Sequence, residues 1–358
     1  MSDSSAPAKP APKEELLLYI SSSPHIGSPV GTRKIMSRVL ISLAPVSAFG
    51  VVLYGMPALM TIVVSILAAE LAEALFRKVI HREPRNKDLS AAVTGLLLAL
   101  IVPPGTPLWI TALGAIFAVI VAKEFFGGLG ANVFNPALIG RAFLLLSFPV
   151  SLTSWAIPRA FFPVPGTVDA LTGPTPLGII KLDGSIADVG IDLASKGLAA
   201  GSDYCSTIWS LLIGSRGGSI GESSIILILV GFIYLLVTRT IDWRAPVSMT
   251  VSAFIFSLIF SGGDPGSALF AVMAGGLLFG AVFMATDYVS APLFGNGKLV
   301  FGFCAGIIVV LIRQFGNYPE GVTYGILIMN AVTPFLNRIH ERKYGYTQPK
   351  KEKKGGTK

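Results

Sequence analysis

Residues 57–76, PALMTIVVSILAAELAEALF, run for twenty positions with only two ionisable side chains, Glu70 and Glu73. A helix of that length rises about 30 Å, the thickness of a bilayer's hydrocarbon core. Comparable apolar runs occupy residues 36–54, 89–102, 107–123 and 136–150 on one side of a polar segment. Residues 223–238, 245–260, 266–286, 298–312 and 322–337 follow on the other side. The chain therefore reads as an all-α polytopic membrane protein of about ten transmembrane helices in two five-helix halves. Several runs are short for a straight span, so tilting or partial unwinding is expected.

Composition agrees with this class. Over 358 residues, 52% are hydrophobic and 13% charged, about half the charge of an ordinary soluble domain. Mean hydropathy is +0.69. The net charge of +8 gathers partly in the tail, at Lys350, Lys351, Lys353, Lys354 and Lys358. That pattern suits a cytoplasmic end facing anionic membrane lipid and gives no nucleic-acid footprint. Cys205 and Cys304 make neither a metal cluster nor a disulfide framework, and His25, His81 and His340 are too scattered for zinc.

Arg33, Lys34 and Arg38 precede the first run; Arg77, Lys78, Arg82, Arg85 and Lys87 follow the second. Arg239 and Arg244 follow the sixth, and Arg338, Arg342 and Lys343 the tenth. With both termini cytoplasmic, every cluster falls on the inner side of a bacterial cytoplasmic membrane. Five regions result: a leader (1–35), a first membrane half (36–150), an extracytoplasmic loop (151–222), a second half (223–338) and a basic tail (339–358). An odd number of spans per half requires the second half to be inverted. Asn135-Pro136-Ala137-Leu138 is echoed by Asn330-Ala331-Val332, and Lys123-Glu124-Phe125-Phe126-Gly127 by Arg313-Gln314-Phe315-Gly316.

Polar groups inside apolar runs are the candidates for function. Gly127–Pro136 is helix-breaking and carries Asn132 and Asn135, and Arg141 follows at membrane depth. Such a cation either lines a cavity and binds a charged group or snorkels to the interface. Asp287, in Thr286-Asp287-Tyr288-Val289-Ser290-Ala291-Pro292, either belongs to an ion path or caps a turn. Glu70 and Glu73 share one helix face and suit an ion site, but pairing with Arg77 at the interface is the simpler reading. In the polar loop, Asp169-Ala170-Leu171-Thr172-Gly173-Pro174-Thr175 is hydroxyl-rich and kinked. Taken alone it is a turn with Asp169 and Thr172 bonding their own backbone, or an attachment site.

In order along the chain, four further pieces accompany that motif. They are Ser23-Pro24-His25, Gly130 to Ala137 ahead of Gly140-Arg141-Ala142-Phe143, Ala285 to Pro292, and Tyr318-Pro319-Glu320-Gly321-Val322 ahead of Met329-Asn330-Ala331. Together they resemble the RnfD component of the Rnf ion-translocating oxidoreductase complex and, less closely, the NqrB component of the sodium-translocating NADH:quinone reductase. The resemblance implies FMN esterified through its phosphate to the last threonine of a motif like D-x-x-(S/T)-G-A-T. Here the match is Asp169, Thr172, Gly173 and Thr175, with Thr175 the acceptor and Pro174 a departure where alanine is common. Leu177, Ile179 and Ile180 are expected to return the loop to the membrane surface.

The implied role is electron transfer rather than NADH binding. It runs between this flavin and a covalent FMN on a neighbouring subunit, within a complex that links ferredoxin and NAD to sodium or proton movement. A second, noncovalent flavin such as riboflavin is also implied, with Asn132, Asn135 and Arg141 as its candidate contacts. The competing classes are an inverted-repeat secondary transporter or channel without covalent flavin, and a membrane scaffold.

Overall fold

A computed structural model describes residues 30–82, 88–158, 173–182, 185–316 and 320–340. Among these the secondary structure is helical, with one isolated bridge at Ala156. The first half holds α1 (Thr32–Tyr54), α2 (Met56–Val79), α3 (Ser90–Ile101), α4 (Leu108–Val119), α5 (Pro136–Ser147) and the short α6 (Pro149–Thr153). Between the halves lie α7 (Pro176–Lys181), α8 (Ile186–Ser195) and α9 (Tyr204–Ile213). The second half holds α10 (Ile225–Val237), α11 (Arg244–Phe260), α12 (Pro265–Met273), α13 (Leu277–Phe279), α14 (Gly295–Phe315) and α15 (Val322–Leu336).

Each of the ten apolar runs contains helix, and the expected unwinding is concrete. α4 passes into a π-helical turn, Ile120–Glu124, and α13 into another, Gly280–Met284. The run at 266–286 is two helical pieces bent by 62°. The break falls at Ala274-Gly275-Gly276, where Gly275 takes φ +71°, a left-handed conformation that glycine adopts without strain. The run at 136–150 breaks at Phe148, because Pro149 has no N–H to continue the ladder. Asn135 starts α5 cleanly: its Oδ1 accepts from the N–H groups of Ala137 (3.0 Å) and Leu138 (3.4 Å), with Pro136 in the first turn.

Three described helices, α1, α2 and α14, are long and apolar enough to cross a membrane alone, and the bent pair makes a fourth. The outward side of α2 bares Leu67, Leu71 and Leu75, and α10 bares Val230, Ile233 and Val237. Such continuous apolar surface is stable against lipid rather than water. The chain is a multi-pass membrane protein.

Packing is organised around α3, every residue of which is buried. α2 lies on α3 and α4 and α4 on α5; α11 lies on α12 and α14 and α14 on α15; α1 meets α10. The α11–α14 contact is close because Gly302 and Gly306 face it. A Cβ at Gly302 would strike the Ala245 carbonyl, and one at Gly306 the Ser252 hydroxyl. Small residues four apart let backbones approach where no hydrophobic drive operates between helices. A second, smaller core joins Val189 and Leu193 of α8, Leu211 of α9, Ile225 of α10, and Phe270 and Met273 of α12. The described part of the inter-half segment is therefore a packed helical layer held against α12.

Candidate functional site

Thr175 is the N-cap of α7. Its Oγ1 accepts from the Gly178 N–H at 3.0 Å, and Pro176 follows in the first turn. Just upstream, the Gly173 N–H donates to the Trp155 carbonyl at 3.0 Å, which pins the entry to the turn. Asp169 and Thr172 lie outside the described residues. Thr175 is 7% exposed, so its side chain faces inward rather than into solvent. Leu177, Ile179 and Ile180 pack against the smaller core, which holds α7 in place.

What the hydroxyl faces is a cavity of about 300 Å³, lined among others by Arg141, Leu145, Trp155, Lys181, Glu320 and Tyr324. Arg141 on α5 does not snorkel: its Nη2 lies 2.5 Å from Glu320 Oε2 in a largely buried pair. Lys181, at the end of α7, donates to the Arg313 carbonyl at 2.6 Å. Two sequence candidates far apart in the chain, Thr175 and Arg141, thus share one wall-to-wall space. Glu320 and Lys181 join them. Glu320 was visible only inside the Tyr318–Val322 motif, and Lys181 carried no signal beyond its charge.

Beside this cavity the α12–α13 break is capped by two arginines. Arg216 donates from Nη1 to the Met273 carbonyl (2.6 Å) and from Nη2 to the Glu222 carbonyl (2.8 Å). Arg313 donates to the carbonyls of Ala271 (2.5 Å) and Ala274 (3.2 Å). A helix end leaves carbonyls without partners, and guanidinium groups satisfy them while complementing its negative pole. Glu222 sits on the other side of the break, outside the spanning helices and 3% exposed. Burial first, and the charge of Glu320 second, push its carboxyl up to about 7. Arg216 and Glu222 read from sequence as ordinary loop charges.

Asn132, Asn135 and Asp287 come together elsewhere, with Lys123 and Ser90, around a space of about 50 Å³. Arg141 is not part of it, so the three residues expected to contact a second flavin divide between two places. Asn132 donates to the Phe134 carbonyl (3.0 Å) and Asn135 to the Met284 carbonyl (3.4 Å). The Oδ1 of Asn132 is buried without a hydrogen-bond partner among the described residues. Asp287 accepts from the Ser290 hydroxyl at 2.7 Å, the turn-capping geometry. A space of this size holds waters and not a tricyclic ring.

Glu73 departs from the simple helix-face pairing. Lys123 Nζ, in a side chain that is almost fully buried, lies 3.1 Å from both carboxylate oxygens and donates to Ser90 Oγ at 2.6 Å. Arg77 is farther from Glu73, at 3.6 Å, and closer to Glu124, at 3.2 Å. The result is a buried network of two cations and two carboxylates rather than an interfacial pair. Lys123 reads in sequence as the end of a span, but the π-helical turn carries it inward. Glu70 is half-buried beside Glu73 and Asp88.

A family model described as the NQR2, RnfD, RnfE family matches residues 19–345. The chain is 42% identical over 341 residues to the D component of the proton-translocating ferredoxin:NAD(+) oxidoreductase complex of Clostridium ljungdahlii, covering 94% of this chain and 96% of that protein. It is 38% identical over 343 residues to the D component of the Na(+)-translocating ferredoxin:NAD(+) oxidoreductase complex of Acetobacterium woodii, covering 95% and 99%. It is 35% identical over 332 residues to the D component of the ion-translocating oxidoreductase complex of Stutzerimonas stutzeri, covering 87% and 92%.

Proposed function

The chain belongs to the NQR2, RnfD, RnfE family, and we propose that it is the membrane-embedded, flavin-carrying electron-transfer subunit of an Rnf-type ferredoxin:NAD oxidoreductase that moves sodium ions or protons. The observation that carries this reading is the meeting of the Thr175 hydroxyl with Arg141 and Lys181 at one cavity. The residues fit the group. A phosphodiester on Thr175 would bear one negative charge, which Lys181 offsets while Arg141 is balanced by Glu320, and Trp155, Leu145 and Leu152 supply an apolar wall for a flat ring. FMN bound there would supply one-electron and two-electron chemistry. The protein's share is to hold it, orient it and keep water away.

Attachment displaces the Thr175 hydroxyl from its capping bond to Gly178. A cap of this kind is worth about 1 kcal/mol, a small cost beside a covalent bond. Held at Thr175, FMN would supply a partner for electron exchange with a covalent FMN on a neighbouring subunit, and other subunits would bring electrons across the bilayer. Cys205 and Cys304 are too few for a four-thiolate iron–sulfur ligand set. A second flavin such as riboflavin is part of this reading, but the Asn132–Asn135 seam, at about 50 Å³, does not fit it.

The architecture proposed is ten spans as two inverted five-helix repeats, with both termini cytoplasmic and Thr175 on the outer side. Its support is the matched packing: α2 with α3 and α4 corresponds to α11 with α12 and α14, and α4 with α5 to α14 with α15. The same bent helix would also serve an inverted-repeat transporter without flavin. One experiment separates the two. The chain is purified from its native host and its denaturing-gel band illuminated. A flavin-fluorescent band is expected; a dark band from an intact, active complex would remove the covalent cofactor and favour the transporter.

A further inference from the structure

Glu222 ends the 3-10 turn Ile220–Glu222, and its Oε1 is buried without a hydrogen-bond partner among the described residues. An ionised carboxylate in that condition is unstable unless it is compensated or protonated. Compensation is incomplete because the nearby cations are engaged elsewhere. Arg216 donates to the Met273 carbonyl and to Glu222's own carbonyl, Arg313 turns its two Nη groups to the Ala271 and Ala274 carbonyls and keeps a buried Nε without a partner among the described residues, and Arg141 is paired with Glu320. The charged and titratable groups that face Glu222 are Tyr54 on α1, Arg141 on α5, Arg216, Arg313 on α14, and Glu320 ahead of α15.

The two carboxyls are separated by the helix break itself. A Cβ added at Gly276 would fall 2.6 Å from Glu222 Oε1, and one added at Gly275 would fall 3.7 Å from Glu320 Oε1. Gly275 also abuts Leu177 of α7, at 2.5 Å from the same construction. Adjacent glycines thus form a thin partition. Glu222 stands on one side; on the other, Glu320 joins Arg141 at the wall of the Thr175 cavity.

We propose that Glu222 is a proton-binding site coupled, across the Gly275–Gly276 break and through the Glu320–Arg141 pair, to the charge held in the Thr175 cavity. This rests on the flavin reading in one respect, since the charge is the electron that the flavin receives. That electron comes from the preceding carrier of the complex. It draws Arg141 toward the cavity and leaves Glu320 less compensated. One proton then joins Glu222 Oε1 from a hydronium ion of the aqueous phase: an O–H bond of hydronium breaks to leave water, and the carboxyl O–H bond forms. One negative and one positive charge enter, so the buried cluster keeps its balance. A metal cation is a poor alternative ligand: three guanidinium groups surround the site, and no metal-holding group of three His, Cys, Asp or Glu occurs among the described residues.

The test is difference infrared spectroscopy on the intact complex, in two arms. In a flavin-free Thr175→Ala complex, a pH step across neutrality should produce a protonated-carboxyl band that shifts in D2O. The band should vanish when Glu222→Gln is added and return in shifted form with Glu222→Asp, which controls for folding. A band unchanged by Glu222→Gln overturns the proton site whether or not the chain carries flavin. In the flavin-loaded complex, reduction should increase the same band, and Arg141→Lys should weaken the increase while leaving the pH-step band in place. If the flavin is seen to reduce and the band does not move, the coupling is overturned. A band that follows sodium concentration instead of pH overturns the choice of proton.

Discussion

At Thr175 the hydroxyl has two employments, one as a helix cap and one as a proposed point of attachment. Thr175→Ala should abolish covalent flavin, with peptide mass mapping finding no modified residue, while the chain still inserts. Because the cap to Gly178 is lost as well, the variant should also be about 1 kcal/mol less stable locally, read as faster amide exchange in α7. FMN found on Thr172 with Thr175 bare would refute the assignment. Arg141 and Glu320 form a pair with little exposure. Removing either partner alone leaves a charge in a poor solvent, so Arg141→Gln and Glu320→Gln should each lower detergent-melting temperature more than the double variant does. For Glu222 the sign is set by a carboxyl whose value is raised by burial from 4.5 to about 7. Its stabilising protonated form is lost as pH rises through that upper value, so wild type should lose stability relative to Glu222→Gln between those limits and level off above them. Equal melting curves across this range would contradict the burial of that carboxyl.

At the scale of elements, sequence and structure part company in an instructive way. Apolar runs announced the helices because the bilayer imposes a length and a composition. Arg141 was legible because a charge inside such a run has few places to go. The break at Gly275–Gly276 was not, since glycine does not interrupt hydropathy and Leu277 resumes the run at once. Lys123 and Glu124 looked terminal, and only a π-helical turn, which wide hydropathy windows do not register, brings them inside. Arg216 and Glu222 sit in polar sequence that folds back onto membrane helices, so nothing local marks them. The α11–α14 seam gives a clean test. Gly306→Val must displace the Ser252 hydroxyl and the Met249 carbonyl, which should cost about 1–3 kcal/mol or more and be measurable as a lowered melting temperature, whereas Gly105→Ala, with open space around it and no left-handed backbone to strain, should cost less.

The whole molecule has an orientation, and the proposed electron route depends on it. Leu182, at the end of α7, is 80% exposed and close in sequence to Thr175. Leu182→Cys in intact cells should react with a membrane-impermeant maleimide added outside. Reaction only after the cytoplasmic face is opened would turn the protein over and move the flavin to the inner side. Charge clusters along the chain are the basis on which this orientation is proposed, whereas the proximity of Thr175 to Arg141 has no sequence signal, because it depends on α7 folding back between the halves.

α3 has twelve residues, all buried, a length of about 18 Å against a hydrocarbon core of about 30 Å. At its start, Ser90 touches Lys123 of the Glu73 network; near its end, Leu100 packs against Gly221, next to Glu222. The two buried charged clusters are thus poles of one short insulating rod. In the ten-span arrangement proposed, these groups would reach inward from opposite faces and compress the voltage drop into the layer between them. A unit charge passing from one pole to the other would then do nearly the full electrical work of crossing, about 2.3 kcal/mol per 100 mV, over little more than half the distance. In that arrangement the protein would behave there as a thin capacitor set inside a thicker one.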